Sequence, residues 1–571
     1  MEYTRIYTMR KQNGTIDNFG GCPAMKVIFI TLNETSMRLN SEFLTVETLS
    51  AILDQNQIEN QIVSLEYQEV NNDICKPLNN IDWTKNKFVG ITFTYETIEI
   101  LKSIIKFIKN KNQDTHISFL YEVLPLLKAS KKQVETSRIT TNLIFGGENI
   151  SKTVKDMFEE FPDLNSIILG EPEATITELV NDLISNKSIN RCHGIAFRIN
   201  DQISITPARE PILNLDDIPF AQRNYLRKTK GKTARILTSR GCSANCSFCA
   251  ESRVYNVTKK WPKWRGRSPV NIVDEIEYLN KEYGIENFSM LDNSFEDPLL
   301  EGPDRLNDIC EEILNRGLDI FFTVHMRAES IIKLDDSLFM KLKKAGLLRV
   351  CVGIESGYQH TLNLFKKIAS VYDNINAIKK IQKCKIDYFT GFIMFHPYTT
   401  RDELWANLNF IKEAGIGHLN IFNTELWLYQ NTPLYQKVER DDLLNKYNNS
   451  DNPIGYIFKD NNISNYYQLI KKYFNTTCLL QDGPLAIAKD IVYKKNKYGE
   501  LPSLYSEINE YISNYIKALS VLQINLFESI LTQEHEEQCY GLKEQIHDLD
   551  RKTHTDTKKF LIKEARYSLK H

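Results

Sequence analysis

Short apolar runs alternate with amphipathic stretches along the first two hundred residues. KVIFITL (26–32), QIVSL (61–65), FVGITF (88–93), NLIFGG (142–147) and SIILGE (166–171) are rich in β-branched residues and read as strands. Between them TVETLSAILDQNQ, IEILKSIIKFIKN, ISKTVKDMFEEF and EATITELVNDLI carry apolar positions at helical spacing. Strands apolar on both faces and separated by helices predict a parallel sheet covered on both sides. Right-handed crossovers then give a Rossmann-like, doubly wound unit over residues 23–205, preceded by a polar tail, 1–22. Residues 112–141 form a long connection in which ISFLYEVLPLLKAS reads as a helical excursion.

Residues 206–231 carry three prolines and few periodic apolar positions, the pattern of a linker. A second alternating run fills 232–435. Its strands are ARILTS (234–239), NFSML (287–291), DIFFTV (319–324), LRVCVGI (348–354), DYFTGFIMF (387–395) and HLNIFN (418–423). Ser268-Pro269 supplies an N-cap and a first-turn proline for the helix NIVDEIEYLNKEY. Six βα units fall short of a closed eight-fold barrel. They predict a partial (βα)6 barrel with a lateral opening through which a large substrate could enter. Residues 436–571 lose the strand rhythm and read as a helical C-terminal region, with one long buried helix over SEINEYISNYIKALSVLQINLFESIL. From Gln533 to His571 the pattern is a charged surface helix with a frayed tail. The His535/Cys539 spacing falls short of a metal site.

Composition narrows the function classes. Of 571 residues, 42% are hydrophobic and 25% charged, which is globular rather than disordered. A formal net charge of -2 supplies no global field for nucleic acid or an anionic membrane. No apolar run is long enough to span a bilayer. The polar N-terminal stretch lacks a signal-peptide core, so a cytoplasmic location is expected. Eleven cysteines without a secretory signal argue against a disulfide scaffold. Eight are isolated and read as small buried residues.

The other three stand together in TSRGCSANCSFCAESRVY, just after the first strand of the second run. Cys242, Cys246 and Cys249 have CxxxCxxC spacing. Thiolates are the usual protein ligands of iron–sulfur clusters. Three of them on a [4Fe–4S] cube leave one iron open to an exogenous ligand. Gly241, Ser243, Ala244 and Ser247 are small enough for a short loop to wrap the cube. Zinc would want a fourth ligand in the motif, and none is there.

With an aromatic, Phe248, before the last cysteine, this motif resembles that of the radical S-adenosylmethionine (SAM) superfamily. The whole order of elements is similar to the cobalamin-dependent class, in which a Rossmann-like cobalamin domain precedes the barrel. NLDDIPF, WRGRSPVNIVDEIEYLNKEYG, LDNSF (291–295), HMRAES (325–330), VGIESG (352–357) and GFIMFHPYTTRDEL (391–404) carry the likeness over residues 25–435. The resemblance implies that Cys242, Cys246 and Cys249 hold the cluster and that the open iron chelates SAM. It sets Phe248 by the adenine and gives Glu355 and Ser356 the polar groups of the methionine or ribose. It pairs Arg327 with the SAM carboxylate. Asp292 and Asn293 face the same rim, toward either SAM or substrate. Gly146, Gly147, Gly170 and Glu171 follow two strands of the first unit, where a corrin and its tail would approach the backbone. The loop TLNETSMRLNSE has no histidine to ligate cobalt, a departure from many cobalamin proteins.

The expected function is methylation of an unactivated carbon in a natural-product or peptide substrate, with electrons from a flavodoxin or ferredoxin. A non-methylating ring formation or rearrangement on the same architecture is the alternative. A methylthiotransferase would group further cysteines in the first unit, and Cys22, Cys75 and Cys192 are not grouped. A cobalamin or iron–sulfur sensor would leave the barrel motifs idle.

Overall fold

The computed structural model describes residues 25–33, 44–66, 77–84, 87–92, 98–120, 150–200, 202–229, 233–249, 262–296, 302–429, 432–445, 455–474, 483–498, 501–533 and 536–568. The expected strand 142–147, with Gly146 and Gly147, lies outside these residues, as do the 1–22 tail and His535.

The first sheet has strands β1 (Lys26–Asn33), β2 (Asn60–Glu66), β3 (Lys87–Thr92), β4 (His116–Leu120), β5 (Ser166–Ile168), β6 (Ile195–Ile199) and β7 (Gln202–Ile205). Their order is β2-β1-β3-β4-β5-β6-β7. The pairings from β2 to β5 are parallel, and β6 and β7 close the far edge as an antiparallel hairpin. Its helices are α1 (Leu44–Gln55), α2 (Ile98–Lys111), α3 (Ile150–Glu160) and α4 (Pro172–Ile184). Successive strand residues point to opposite faces. Ile28, Ile30, Val89 and Ile91 pack on Leu101 and Ile104 of α2 and Phe158 of α3. Val27, Phe29 and Phe88 pack on Leu49 and Leu53 of α1 and Ile176 of α4. Burial on both faces is why these strands read as unbroken apolar runs. The helical reading of ISFL is corrected: it is β4, between β3 and β5. A short, fully apolar run does not reveal its own period, and only its neighbours decide.

The second sheet is wholly parallel. It contains β8 (Thr233–Ile236), β11 (Asn287–Met290), β12 (Phe321–Arg327), β13 (Leu347–Glu355) and β14 (Asp387–Phe392), in the order β14-β13-β12-β11-β8. A short antiparallel ribbon, β9 (Ser239–Gly241) with β10 (Trp264–Gly266), follows β8. The helices are α5 (Asn224–Thr229), α6 (Pro269–Tyr283), α7 (Gly302–Asn315), α8 (Ala328–Lys333), α9 (Asp336–Ala345), α10 (Gln359–Leu364), α11 (Val371–Lys383) and α12 (Arg401–Ala414). Ser268 accepts from Asn271 N and caps α6, with Pro269 in its first turn. Val350, Val352 and Ile354 of β13 are buried in the main core, while Arg349, Cys351, Gly353 and Glu355 alternate with them on the other face of the strand.

The C-terminal region has α13 (Pro433–Arg440), α14 (Asn461–Tyr473), α15 (Pro484–Lys495), α16 (Ser503–Thr532) and α17 (Glu536–Ser568). It corrects the expected sixth strand. Residues 418–423 form no strand, and a single parallel bridge, Phe395 to Glu425, stands in the sixth position. Asn423 donates to Phe474 O at 2.7 Å, and Lys471 donates to Asn423 O at 2.7 Å, so the segment bonds to α14 and the residue after it. Phe422 stacks on Phe474 at 4.9 Å and meets Phe527 of α16 at 5.1 Å. The apolar pattern there serves helix packing over the sheet edge. The long helix expected from the sequence is α16, and α17 is the expected surface helix. Tyr515 and Tyr511 of α16 donate to Asp550 and Asp556 of α17, an antiparallel pairing.

Candidate active site

Cys242, Cys246 and Cys249 lie on the loop after β9, each partly buried. The loop is held from within. Ser247 N donates to Phe365 O (2.8 Å), its hydroxyl donates to Leu364 O (2.7 Å), and its carbonyl accepts from Leu434 N (2.9 Å). One small residue thus joins the cysteine loop to the end of α10 and the start of α13. Phe248 meets Phe365 edge to face at 5.0 Å. Among the described residues, no three His, Cys, Asp or Glu side chains converge on a point that would hold a single ion.

Opposite the loop, at the carboxyl end of β13, Glu355 adopts φ +68°, a left-handed conformation costly for a side-chain-bearing residue. Its carboxylate lies over two glycines. A Cβ on Gly353 would stand 2.9 Å from Glu355 Oε1 and 3.3 Å from Lys367 Nζ. Gly391, the cross-strand partner of Gly353, would place one 3.4 Å from Glu355 Oε2. Lys366 (φ +54°) turns the chain after α10 so that Lys367 donates to Gly353 O at 3.1 Å and stands 3.6 Å from Glu355. Burial pushes the Glu355 carboxyl up, against the pull of Lys367. Burial works against the Lys367 charge too, but Glu355 and the Cys246 thiol raise it overall. Glu329, at the start of α8, acts electrostatically on Cys246, Glu355 and Lys367, and its Oε2 is buried without a hydrogen-bond partner among the described residues. Cys246 therefore faces an acidic, largely buried wall that carries Lys367 and Arg327.

At the carboxyl end of the first sheet, Gly170 has φ +80° and no atom within 4 Å of where a Cβ would project. It opens onto free space, as a backbone cradle must. Glu171 is held elsewhere. Its carboxylate takes Arg265 Nη2 at 2.6 Å, Arg240 Nη1 at 3.1 Å and Ile212 N at 2.9 Å. Burial opposes ionisation, yet Arg240 and Arg265 hold its carboxyl down at about 2. Arg240 also pairs with Glu173. The carboxyl ends of the two sheets thus face each other, joined two residues before Cys242.

The Radical SAM superfamily matches residues 236–411, which span β8 to α12. This stretch is a radical SAM domain. The chain is 28% identical over 298 residues to an uncharacterized methyltransferase of Pyrococcus horikoshii, covering 50% of this chain and 62% of that protein. It is 29% identical over 272 residues to the anaerobic magnesium-protoporphyrin IX monomethyl ester cyclase of Cereibacter sphaeroides, covering 46% and 43%. The matched stretches thus span about half the length of these curated relatives. Among solved structures, the cobalamin-dependent SAM radical enzyme OxsB, with aqua-cobalamin and SAM bound, superposes with a TM-score of 0.66 at 19% identity, over 96% of this chain and 80% of that one. The radical SAM methyltransferase TsrM from Kitasatospora setae gives 0.55 at 14%, over 73% and 75%. At these identities the likeness is one of fold.

Within the radical SAM domain the structure gives several sequence-picked residues other partners. The Ser356 hydroxyl is buried, donates to Asn407 Oδ1 (3.1 Å) and accepts from Tyr358 N (3.1 Å), so it shapes the turn after Glu355. Arg327 sits at the end of β12, with its amide (3.0 Å) and Nε (3.2 Å) on Glu296 Oε1, and Glu329 Oε1 lies 3.6 Å from Nε. Asp292 is fully committed: it accepts from the amides and hydroxyls of Thr238 and Ser239, pinning the corner between β8 and β9. Glu171 joins the two sheets through the arginines described above. Sequence reasoning missed Lys367, Glu329 and the arginine pair Arg240 and Arg265. Lys367, twelve residues after Glu355, carried no local signal, whereas a basic residue two before the first cysteine was visible.

Proposed function

We propose that the protein is a cobalamin-dependent radical SAM enzyme that methylates an unactivated carbon of a natural-product or peptide substrate. The observation that carries this reading is the meeting of the two carboxyl ends. Barrel ligands gather at the carboxyl ends of strands, and open-sheet ligands bind beyond theirs, so two cofactors bound there would share one space. In this reading residues 23–205 form the cobalamin unit, 206–231 the linker, 232–435 the barrel and 436–571 the helical region. When bound, the [4Fe–4S] cluster would supply the electron that cleaves SAM to methionine and a 5′-deoxyadenosyl radical, and the cobalamin would supply the methyl group.

The chain's own residues hold and orient. Cys242, Cys246 and Cys249 are the cluster ligands. Glu355 and Lys367 present opposite charges side by side, matching the ammonium and carboxylate of an amino acid. Glu329 Oε2 adds an acceptor with no hydrogen-bond donor among the described residues. Phe248 offers its edge to a flat ring. Arg327 fixes the rim through Glu296. Gly170 leaves room for a corrin tail at the backbone. No side-chain acid or base is needed. A flavodoxin or ferredoxin is the proposed electron donor and the cytoplasm the proposed compartment; no helix among the described residues is long and apolar enough to cross a membrane.

The likeness to a ring-forming cyclase supports a second reading, radical ring formation without methylation. Methyl-labelled SAM separates the two. Methylation predicts label in product, cobalt in protein purified without oxygen, and a base-off spectrum for bound hydroxocobalamin. Deoxyadenosine with unlabelled product selects the second reading.

A further inference from the structure

We propose that Arg240 is a positioning residue: with Arg265, it latches the carboxyl end of the first sheet to the cysteine loop through Glu171 and Glu173. The inference rests on the two-cofactor reading, in which the two sheet ends must keep a fixed separation. The latch begins with an arrangement that is unfavourable alone. Arg240 and Arg265 are direct cross-strand partners in the β9–β10 ribbon. Like charges directly opposite on an antiparallel pair repel. Both guanidiniums reach Glu171, and Arg240 also takes Glu173, so two carboxylates of the first sheet compensate the ribbon.

Those carboxylates are spared from local duty. Glu171 is the N-cap residue of α4 and Glu173 lies in its first turn, where negative charge is favoured. The N-cap side chain makes no capping bond. Both point instead to the ribbon. The linker is held in the same cluster, since Ile212 donates its amide to Glu171 and accepts from Arg265. The four side chains are 3–16% exposed, so breaking one pair leaves a charge poorly solvated and uncompensated. Only Gly241 separates Arg240 from Cys242, so a displaced guanidinium moves the cluster loop with it.

The test compares the full chain with R240A, R240K and the double variant E171Q/E173Q. In R240A, amide exchange at Trp264–Gly266 and over the first turn of α4 should rise by about tenfold, the equivalent of one opening equilibrium shifted by one decade. Iron content and hydroxocobalamin uptake should remain, because both sheets keep their cores. The spin–spin coupling between bound cob(II)alamin and the reduced cluster should weaken in R240A and be partly restored in R240K, since lysine reaches one carboxylate where arginine bridges two. A merely structural role would leave that coupling unchanged in every variant that folds. Exchange and coupling in R240A equal to those of the unaltered chain overturn the latch. Should R240A fail to fold, E171Q/E173Q carries the same two readouts from the other side. If the unaltered chain takes up no hydroxocobalamin, the two-cofactor reading falls, and amide exchange alone decides the latch.

Discussion

The strands of the radical SAM barrel carry a cluster of buried charge at each end, and the two are built differently. At the amino end Arg349 is held by Asp387 (2.5 Å) and by Asp490 of α15 (2.6 Å), while Lys489 takes the other Asp387 oxygen at 3.0 Å. Lys497 adds a bond to Asp319 at 2.9 Å. Each of these charges has a close opposite, and, burial notwithstanding, Lys489 and Arg349 pull the Asp387 carboxyl down. At the carboxyl end Glu355 and Lys367 stand 3.6 Å apart, beyond a good hydrogen bond, and the Glu355 carboxyl is pushed up. Glu355 keeps a strained backbone as well. A buried charge fully matched within the chain closes a structure. One left loosely matched, at a cost in strain, is matched by something that binds.

Replacing the three cysteines should have the largest effect. Cys242, Cys246 and Cys249 changed together to alanine should abolish the roughly 400 nm absorbance and all SAM cleavage; iron and activity retained in that variant would erase the distinction between the two ends. Next comes Asp387→Asn, which leaves Arg349 and Lys489 without their shared partner. A loss of about 3–5 kcal/mol in urea unfolding is expected, while deoxyadenosine formation by the folded fraction should stay near normal. Glu355→Gln should do the reverse. Removing one charged hydrogen-bonding group is worth about 1.5–3 kcal/mol, hence a roughly 10- to 100-fold fall in SAM cleavage with little change in the unfolding midpoint. The last effect is confined to acid and concerns His418, buried beside the amino-end cluster, whose burial and neighbouring Lys489 lower it from 6.5 to about 4. The folded protein keeps it neutral while the unfolded chain protonates it, so stability should fall as pH drops from about 6.5 to about 4, by up to ~1.4 kcal/mol per pH unit. His418→Gln should flatten that slope.

The sequence by itself determined most of the parallel strands, the helices against them and the three-cysteine motif. Strands buried on both faces must be apolar throughout, and helices against them must be apolar on one side, so the second sheet was legible from periodicity and the first in β1, β2, β3 and β5. The cysteine spacing was legible because the three cysteines share one short loop. What depended on distant chain was not. ISFL became a strand because β3 and β5 flank it, and 418–423 lost its strand because α14 and α16 took its apolar side chains. Lys367 reaches Glu355 only through the left-handed turn at Lys366. Glu171 and Ser356 stand where the sequence put them but bond to Arg240, Arg265 and Asn407, which packing alone brought within reach. Local pattern fixes what a segment can bury; which partner its polar atoms meet is decided when the segments pack, because a buried polar group must find its partner across the fold.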